Sequence, residues 1–230
     1  MTDTIELRAR PTAFFFRGQA LHTLYLVALL AAAWGLAAPV LGDGTWLGAT
    51  DTLWFALAIG IAVLHQMYTW IGWRAQLAWQ TFTRLFGDAD FAVFAAGFIP
   101  MLSLRPVLVW AASAADCGSL RLPPQLTLGL SILLAVPALY TAWSVVRYFG
   151  VLRAAGGDHF RRRYREMPLV QQGAFAWAPN AMYTFGFLAL WSIAFYTRSQ
   201  AGLVAALFQH AYVWVHYLCT EQPDMDVLYR

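Results

Sequence analysis

Five stretches of this chain carry no charged residue: 18–42, 52–73, 122–146, 167–197 and 199–220. Each approaches or exceeds the roughly 20 apolar residues needed to cross about 30 Å of hydrocarbon. A further apolar stretch near 91–112 is interrupted by Arg105-Pro106. The pattern predicts an all-α, polytopic membrane bundle with helices over 19–40, 51–71, 91–112, 126–147, 180–197 and 200–219. The 91–112 segment is the least regular of the six. If one segment is re-entrant or tilted, four or five crossings remain. There is no internal repeat, low-complexity tract or linker, so residues 1–230 are read as a single domain.

Composition agrees with the pattern. Hydrophobic residues make up 60% of the 230 and charged residues 12%, against about 25% charged in a soluble domain. All fifteen basic residues are arginines, and the formal charge is +3. Single-strand nucleic-acid binding wants a basic groove lined with aromatics, and no such face is visible, so nucleic acid is excluded as a partner. The start, MTDTIELRARPTAFFF, places Asp3 and Glu6 before its arginines and has no short cleavable apolar region. The first apolar stretch is therefore expected to remain as a membrane helix.

Charge distribution sets an orientation. Six crossings put Arg8, Arg10, Arg17, Arg74, Arg84, Arg147, Arg153, Arg161, Arg162, Arg163, Arg165 and Arg230 on one side. Arg121 and Arg198 fall on the other, with Asp43, Asp51 and Asp116. Arginine in short loops favours the cytoplasm, so both termini are expected there. The expected location is a bacterial inner membrane. Cys117 and Cys219 fall on opposite sides, which disfavours a mutual disulfide, and their spacing indicates no metal.

The one long polar segment is 148–179. Gly150, Gly156 and Gly157 permit close backbone approach or positive φ. Arg161, Arg162, Arg163 and Arg165 either anchor the segment at anionic headgroups, at about 1 kcal/mol each, or present a fork to a substrate phosphate. Arg153, Arg161 and Arg165 are the substrate-binding candidates. Asp158-His159 is either a helix cap beside an exposed histidine or a polar pair facing a bound molecule, with His159 able to accept a proton.

The C-terminal hairpin carries the remaining candidates. Pro179 suits the first turn of a helix, and Asn180 and Tyr183, three apart, share a face. His210 and His216 are six apart, which does not suit a ligand pair on one helix face, so metal is disfavoured. His216 is either a pocket group or a packing partner, as is His65; His22 is expected at the interface. Glu221 follows an apolar helix and precedes a proline that should end or distort it. A carboxylate at the negative end of a helix calls for a compensating cation, from a ligand or an arginine.

Tyr148-Phe149-Gly150 with Leu152, Ala178-Pro179-Asn180-Ala181-Met182-Tyr183 with Gly186, and Glu221-Gln222-Pro223 with Tyr229 resemble, in this order, segments of the phospholipid methyltransferase family. The resemblance covers roughly 140–230, which it marks as a cofactor-binding half. Gln222 stands where that family has a second glutamate. Trp177-Ala178-Pro179 stands where the wider superfamily, including the isoprenylcysteine carboxyl methyltransferases, often has Arg-His-Pro. The resemblance implies N-methylation of phosphatidylethanolamine or its partly methylated products, with S-adenosylmethionine as cofactor and a membrane phospholipid as partner. It implies that Tyr148, Gly150, Asn180, Tyr183 and Glu221 hold the cofactor, and leaves His159 or His216 as proton acceptor. An isoprenylcysteine carboxylate or another lipophilic acceptor is the alternative within the superfamily; a non-catalytic scaffold or transporter is the alternative outside it.

Overall fold

A computed structural model describes residues 11–229; Asp3, Glu6, Arg8, Arg10 and Arg230 lie outside the described residues. The main helices are α1 (Gln19–Ala37), α2 (Asp51–Trp79), α3 (Asp90–Ala115), α4 (Pro124–Phe149), α5 (Met182–Thr197) and α6 (Gln200–His216). They follow the six apolar stretches in order. The helices containing α1, α2, α3 and α4 are long and apolar enough to cross a membrane; α5 is apolar but shorter. Among the described residues, four of the six thus qualify as crossings by length and composition, followed by the α5–α6 hairpin.

The third stretch, the least regular by sequence, forms the helix expected over 91–112. Helix α3 runs unbroken from Asp90 to Ala115 with Pro100 and Pro106 inside it. Arg105 points inward, 3% exposed, where its Nε donates to Gln209 Oε1 at 2.9 Å. A side-chain partner on α6 replaces the water that an interrupted helix would have needed.

The short links are built from local chemistry. Thr50 caps α2 by accepting from the Leu53 amide at 3.2 Å, and Asp51 accepts from the amides of Gly42 and Gly44 at 3.0 and 2.9 Å. A two-stranded antiparallel hairpin, β1 (Thr45–Trp46) and β2 (Ala49–Thr50), precedes it. At the same end, Arg198 in the left-handed region closes α5. Ser199 then caps α6, with Asp116 accepting from the Ser199 hydroxyl at 2.7 Å and the Ala201 amide at 2.8 Å.

Helix α6 is central, packed by α1, α2, α3 and α5. Alanines at 58, 62, 112, 201, 205 and 206 are fully buried around Phe55, Phe208 and Tyr212. Small residues let helix backbones approach closely, which is how helices associate in lipid. The large aliphatics Leu24, Val27, Leu64, Val107, Leu133 and Leu139 point outward. Polar groups go inward: His22, expected at the interface, is buried, with its ring nitrogens 3.1 Å from Gln19 Oε1 and 2.9 Å from Tyr212 Oη. Cys117 is exposed beyond α3, and Cys219 is buried at the opposite end, beyond α6; both are free thiols.

Candidate active site

Three π-helical turns occur at one end of the bundle: Val145–Phe149 at the end of α4, Met182–Gly186 at the start of α5, and Tyr217–Glu221 following α6. Such turns bulge a helix and often mark functional positions. Here they re-aim side chains toward one another. Tyr183, in the second turn, donates its hydroxyl proton to Glu221 Oε2, in the third, through a short hydrogen bond. Pro223 distorts rather than ends the chain's helical path, sitting in the first turn of the short helix Gln222–Leu228.

The 148–166 loop closes over this end. Gly150, at φ 92°, turns the chain off α4. Gly156, at φ 83°, lies so close to Trp73 that a β-carbon there would strike the indole. That approach stacks the His159 ring on Trp73, centroids 4.2 Å apart and planes within 17°. Asp158 and His159 are both buried, so the reading of an exposed histidine beside a cap does not hold.

A chain of charged groups runs through the closure. Tyr229 donates to Asp158 Oδ2 at 2.9 Å. Asp158 Oδ1 pairs with His159 Nδ1 at 2.9 Å, and His159 Nε2 lies 3.5 Å from Asp224 Oδ2. Asp224 Oδ1 accepts from Arg74 Nε at 2.9 Å, both side chains being fully buried. Arg74 also donates to the carbonyls of Phe14, Phe15 and Arg17, and to those of Cys219 and Thr220. One guanidinium therefore ties α2 to the N-terminal turn, the exit of α6 and the tail.

Burial opposes the His159 cation, but Asp158 and then Asp224 outweigh it and lift the pKa from 6.5 to about 9. For Asp158, burial acts upward, yet His159 and the Tyr229 hydrogen bond bring the net shift below the usual value. Glu221 goes the other way: burial dominates and the nearby carboxylates of Asp158 and Asp224 add to it, so the Tyr183 hydrogen bond leaves it raised to about 7.

These shifts predict a pH dependence of stability. Glu221 and His159 both have raised folded-state pKa values, so each stabilises the fold at low pH and loses that contribution as pH rises. The Glu221 contribution fades between 4.5 and about 7, that of His159 between 6.5 and about 9. Thermal unfolding of the ligand-free protein should therefore fall in midpoint across pH 4.5–9. His159→Gln should flatten the upper half of that decline; an unaltered slope would mean that His159 is not held as a cation.

Beneath the loop lies a cavity of about 530 Å³ between α2, α3, α4, α5 and α6, within the range usual for small-molecule sites. Its wall includes Trp73, His65, Arg105, Tyr183 and His216. Among the described residues, Trp73 Nε1, His65 Nε2 and both ring nitrogens of His216 are buried with no hydrogen-bond partner. Buried polar atoms are normally paired, so their convergence on one cavity marks a place for a polar ligand. Helices α3 and α4 do not pack along their lengths. Between them Ile99, Leu102 and Leu139 are at once cavity wall and outer surface, which leaves a lateral opening at the lipid-facing side.

The sequence candidates divide accordingly. Tyr183 and His216 line the cavity, and Glu221 joins it through Tyr183. His159 lies behind Trp73, in the charged chain. The Asn180 carbonyl accepts from the amides of Tyr183 and Thr184, both at 3.0 Å, and starts α5. Tyr148 turns to Trp143, edge-on at 5.4 Å, and to Arg147. Arg153 donates to the carbonyls of Pro168 and Met167 at 3.0 and 3.3 Å. Arg161 forks onto Asp90, and Arg165 donates to the Asp158 carbonyl at 2.6 Å. Sequence reasoning missed Trp73, Arg74, Arg105 and Asp224. The available signal was Arg105 inside an apolar stretch, which in lipid requires a buried partner; Arg74, just past the end of the 52–73 run, gave none.

Residues 126–230 match the family model described as phospholipid methyltransferase. Three yeast proteins named phosphatidylethanolamine N-methyltransferase are similar to parts of the chain. That of Scheffersomyces stipitis is 32% identical over 32% of this chain and 8% of its own length. That of Debaryomyces hansenii is 28% identical over 43% and 12%, and that of Candida tropicalis 26% over 46% and 13%. The chain thus spans about a tenth of the length of the curated relatives it matches. No solved structure matches it.

Proposed function

We propose that this chain transfers a methyl group from S-adenosylmethionine to the amine of a membrane phospholipid, phosphatidylethanolamine or one of its partly methylated derivatives. The observation that carries the reading is the Tyr183–Glu221 contact at the wall of a cavity open sideways to lipid. It lies within the segment matching the phospholipid methyltransferase model. A partly buried carboxylate with a raised pKa suits a cationic ligand, and the unpaired polar atoms of the adjoining cavity wall suit a ligand with several donors and acceptors.

The cofactor supplies an activated methyl group on a sulfonium and requires no metal or covalent protein intermediate. Glu221 favours the positive charge, Tyr183 fixes the carboxylate, and Trp73 and the 148–166 loop exclude water. The lipid's ammonium has no free lone pair, so it must lose a proton before attack. His216 is the better acceptor. Its nitrogens face the cavity without a partner, whereas His159 is held as a cation between two carboxylates. His159 is thus a positioning residue for the tail. Tyr148, Gly150 and Asn180 frame the loop and the start of α5, and shape the cavity by placing those elements. Acyl chains reach the cavity through the opening between α3 and α4. The arginine bias supports a cytoplasmic position for this end of the bundle and for both termini, and the membrane proposed is a bacterial inner membrane.

The test is untargeted. Membranes containing the chain, supplied with label on the donor methyl, should incorporate label into an ethanolamine lipid. Label confined to a prenyl thiol or another acceptor, or no label at all, overturns the assignment.

A further inference from the structure

Arg105 is a buried cation that no role described so far absorbs. It lies about 22 Å along α3 from Asp90, at 1.5 Å per residue, well inside the membrane-spanning stretch. Its Nε donates to Gln209 Oε1 at 2.9 Å, and its other contacts are long: Nη2 to the Gln209 carbonyl and Nη1 to His65 Nδ1, each 3.5 Å. The Phe187 ring lies 4.8 Å from the guanidinium carbon. Among the described residues no carboxylate forms an ion pair with it. Gln209 is itself held by donating to the Ala58 carbonyl at 2.8 Å, so the fork is fixed in place.

A charge at this depth is costly unless something of opposite sign meets it. Arg105 lines the cavity, and so do His65 and His216, each at least 97% buried with ring nitrogens lacking a partner. Tyr183 lines the same cavity, and the Glu221 carboxylate stands behind it, accepting from its hydroxyl. A guanidinium on the wall and a carboxylate one side chain behind it give the cavity a charge pattern complementary to a zwitterion.

We infer that Arg105, backed by Gln209 and His65, is an oxyanion-binding group of this cavity and receives the negative end of the bound ligand. The inference rests on the functional reading above and deepens it. The shared chemistry is a delocalised oxyanion, with two sources: the phosphodiester of the lipid acceptor or the carboxylate of the methyl donor. Arg153, Arg161 and Arg165, the candidates by sequence, are engaged with loop carbonyls or Asp90. Arg105 takes over the part expected of them.

The experiment uses the full chain in an uncharged maltoside detergent, comparing wild type, Arg105→Met and Arg105→Lys by tryptophan fluorescence titration and thermal unfolding. Four probes separate the sources: dioctanoyl phosphatidylethanolamine against phosphate-free N-dodecylethanolamine, and S-adenosylhomocysteine against its decarboxylated form. Arg105→Met should bind one oxyanion-bearing probe about tenfold or more weakly, as loss of a charge-assisted hydrogen bond implies. Its oxyanion-free counterpart should bind as before. The ligand-free melting point should hold or rise, because an uncompensated buried charge is gone, and Arg105→Lys should recover part of the affinity. Loss with the lipid identifies the phosphodiester; loss with the nucleoside identifies the carboxylate. Equal affinities in wild type and Arg105→Met overturn the inference, as does a lowered melting point with all four probes weakened alike. Wild type binding neither lipid nor nucleoside overturns the functional reading instead.

Discussion

Glu221→Gln should weaken binding of the sulfonium donor and slow methyl transfer by about a hundredfold, while the protein still folds. Glutamine keeps the shape of the side chain and an oxygen for the Tyr183 hydroxyl, so the change removes charge and little else. Truncating a buried charge partner typically costs about 2–5 kcal/mol, and 2.7 kcal/mol is about a hundredfold. Stability should not suffer. The carboxyl pKa is raised to about 7 chiefly by burial, so its ionised form opposes folding above neutrality, and a neutral amide relieves that. Two ligands locate the charge it meets. Preferential loss of S-adenosylmethionine over uncharged-sulfur S-adenosylhomocysteine assigns Glu221 to the sulfonium; equal loss of both assigns it to the amino group. Unchanged affinity for both removes it from the site. Tyr183→Phe should reproduce a fraction of the effect, because the carboxylate stays and only its anchor is lost.

Much of this arrangement was legible in the chain because its causes are local. Charge-free runs dictate membrane helices, and six elements follow the six stretches. Tyr183 and Glu221 could be singled out because a polar group beside an apolar helix needs a reason. Their meeting depends on two π turns, which leave no periodic trace in the sequence. What stayed hidden is pairing at long range. Arg105-Pro106 looked like a break because proline removes a helical hydrogen bond and arginine avoids lipid. The helix continues because Gln209, 104 residues away, receives the guanidinium. Likewise Arg161 reads as a headgroup anchor until Asp90 is found within its reach. Composition shows that a membrane arginine must have a partner, and only the fold says which.

Arg74 is the strongest case of that kind, and its removal should be the most destabilising single change in the molecule. Arg74→Met leaves Asp224 buried without its cation and strips donors from five carbonyls on two chain segments. Breaking a buried ion pair from one side costs about 3–5 kcal/mol, and the lost hydrogen bonds to the carbonyls add to it, although Phe14, Phe15 and Cys219 keep a second donor in the Arg17 amide, Trp70 Nε1 and Gln19 Nε2. Thermal unfolding in detergent should show a drop of many degrees. The double variant Arg74→Met/Asp224→Asn should recover only part of it, because the guanidinium's hydrogen bonds to the carbonyls stay lost when the carboxylate, left with His159 alone, is neutralised. Full recovery would reduce Arg74 to a charge partner; no recovery would make Asp224 irrelevant to it. The same cycle reports on the site. With Arg74 absent, His159 becomes the nearest cation to Asp224, 3.5 Å away, so its imidazolium should hold its proton more tightly and titrate higher by NMR. Because Arg74 also fixes the carbonyls of Cys219 and Thr220, immediately before Glu221, the variant should lose donor affinity even at temperatures where it remains folded. A clamp on the exit of α6 is thereby also a clamp on the carboxylate that meets the ligand.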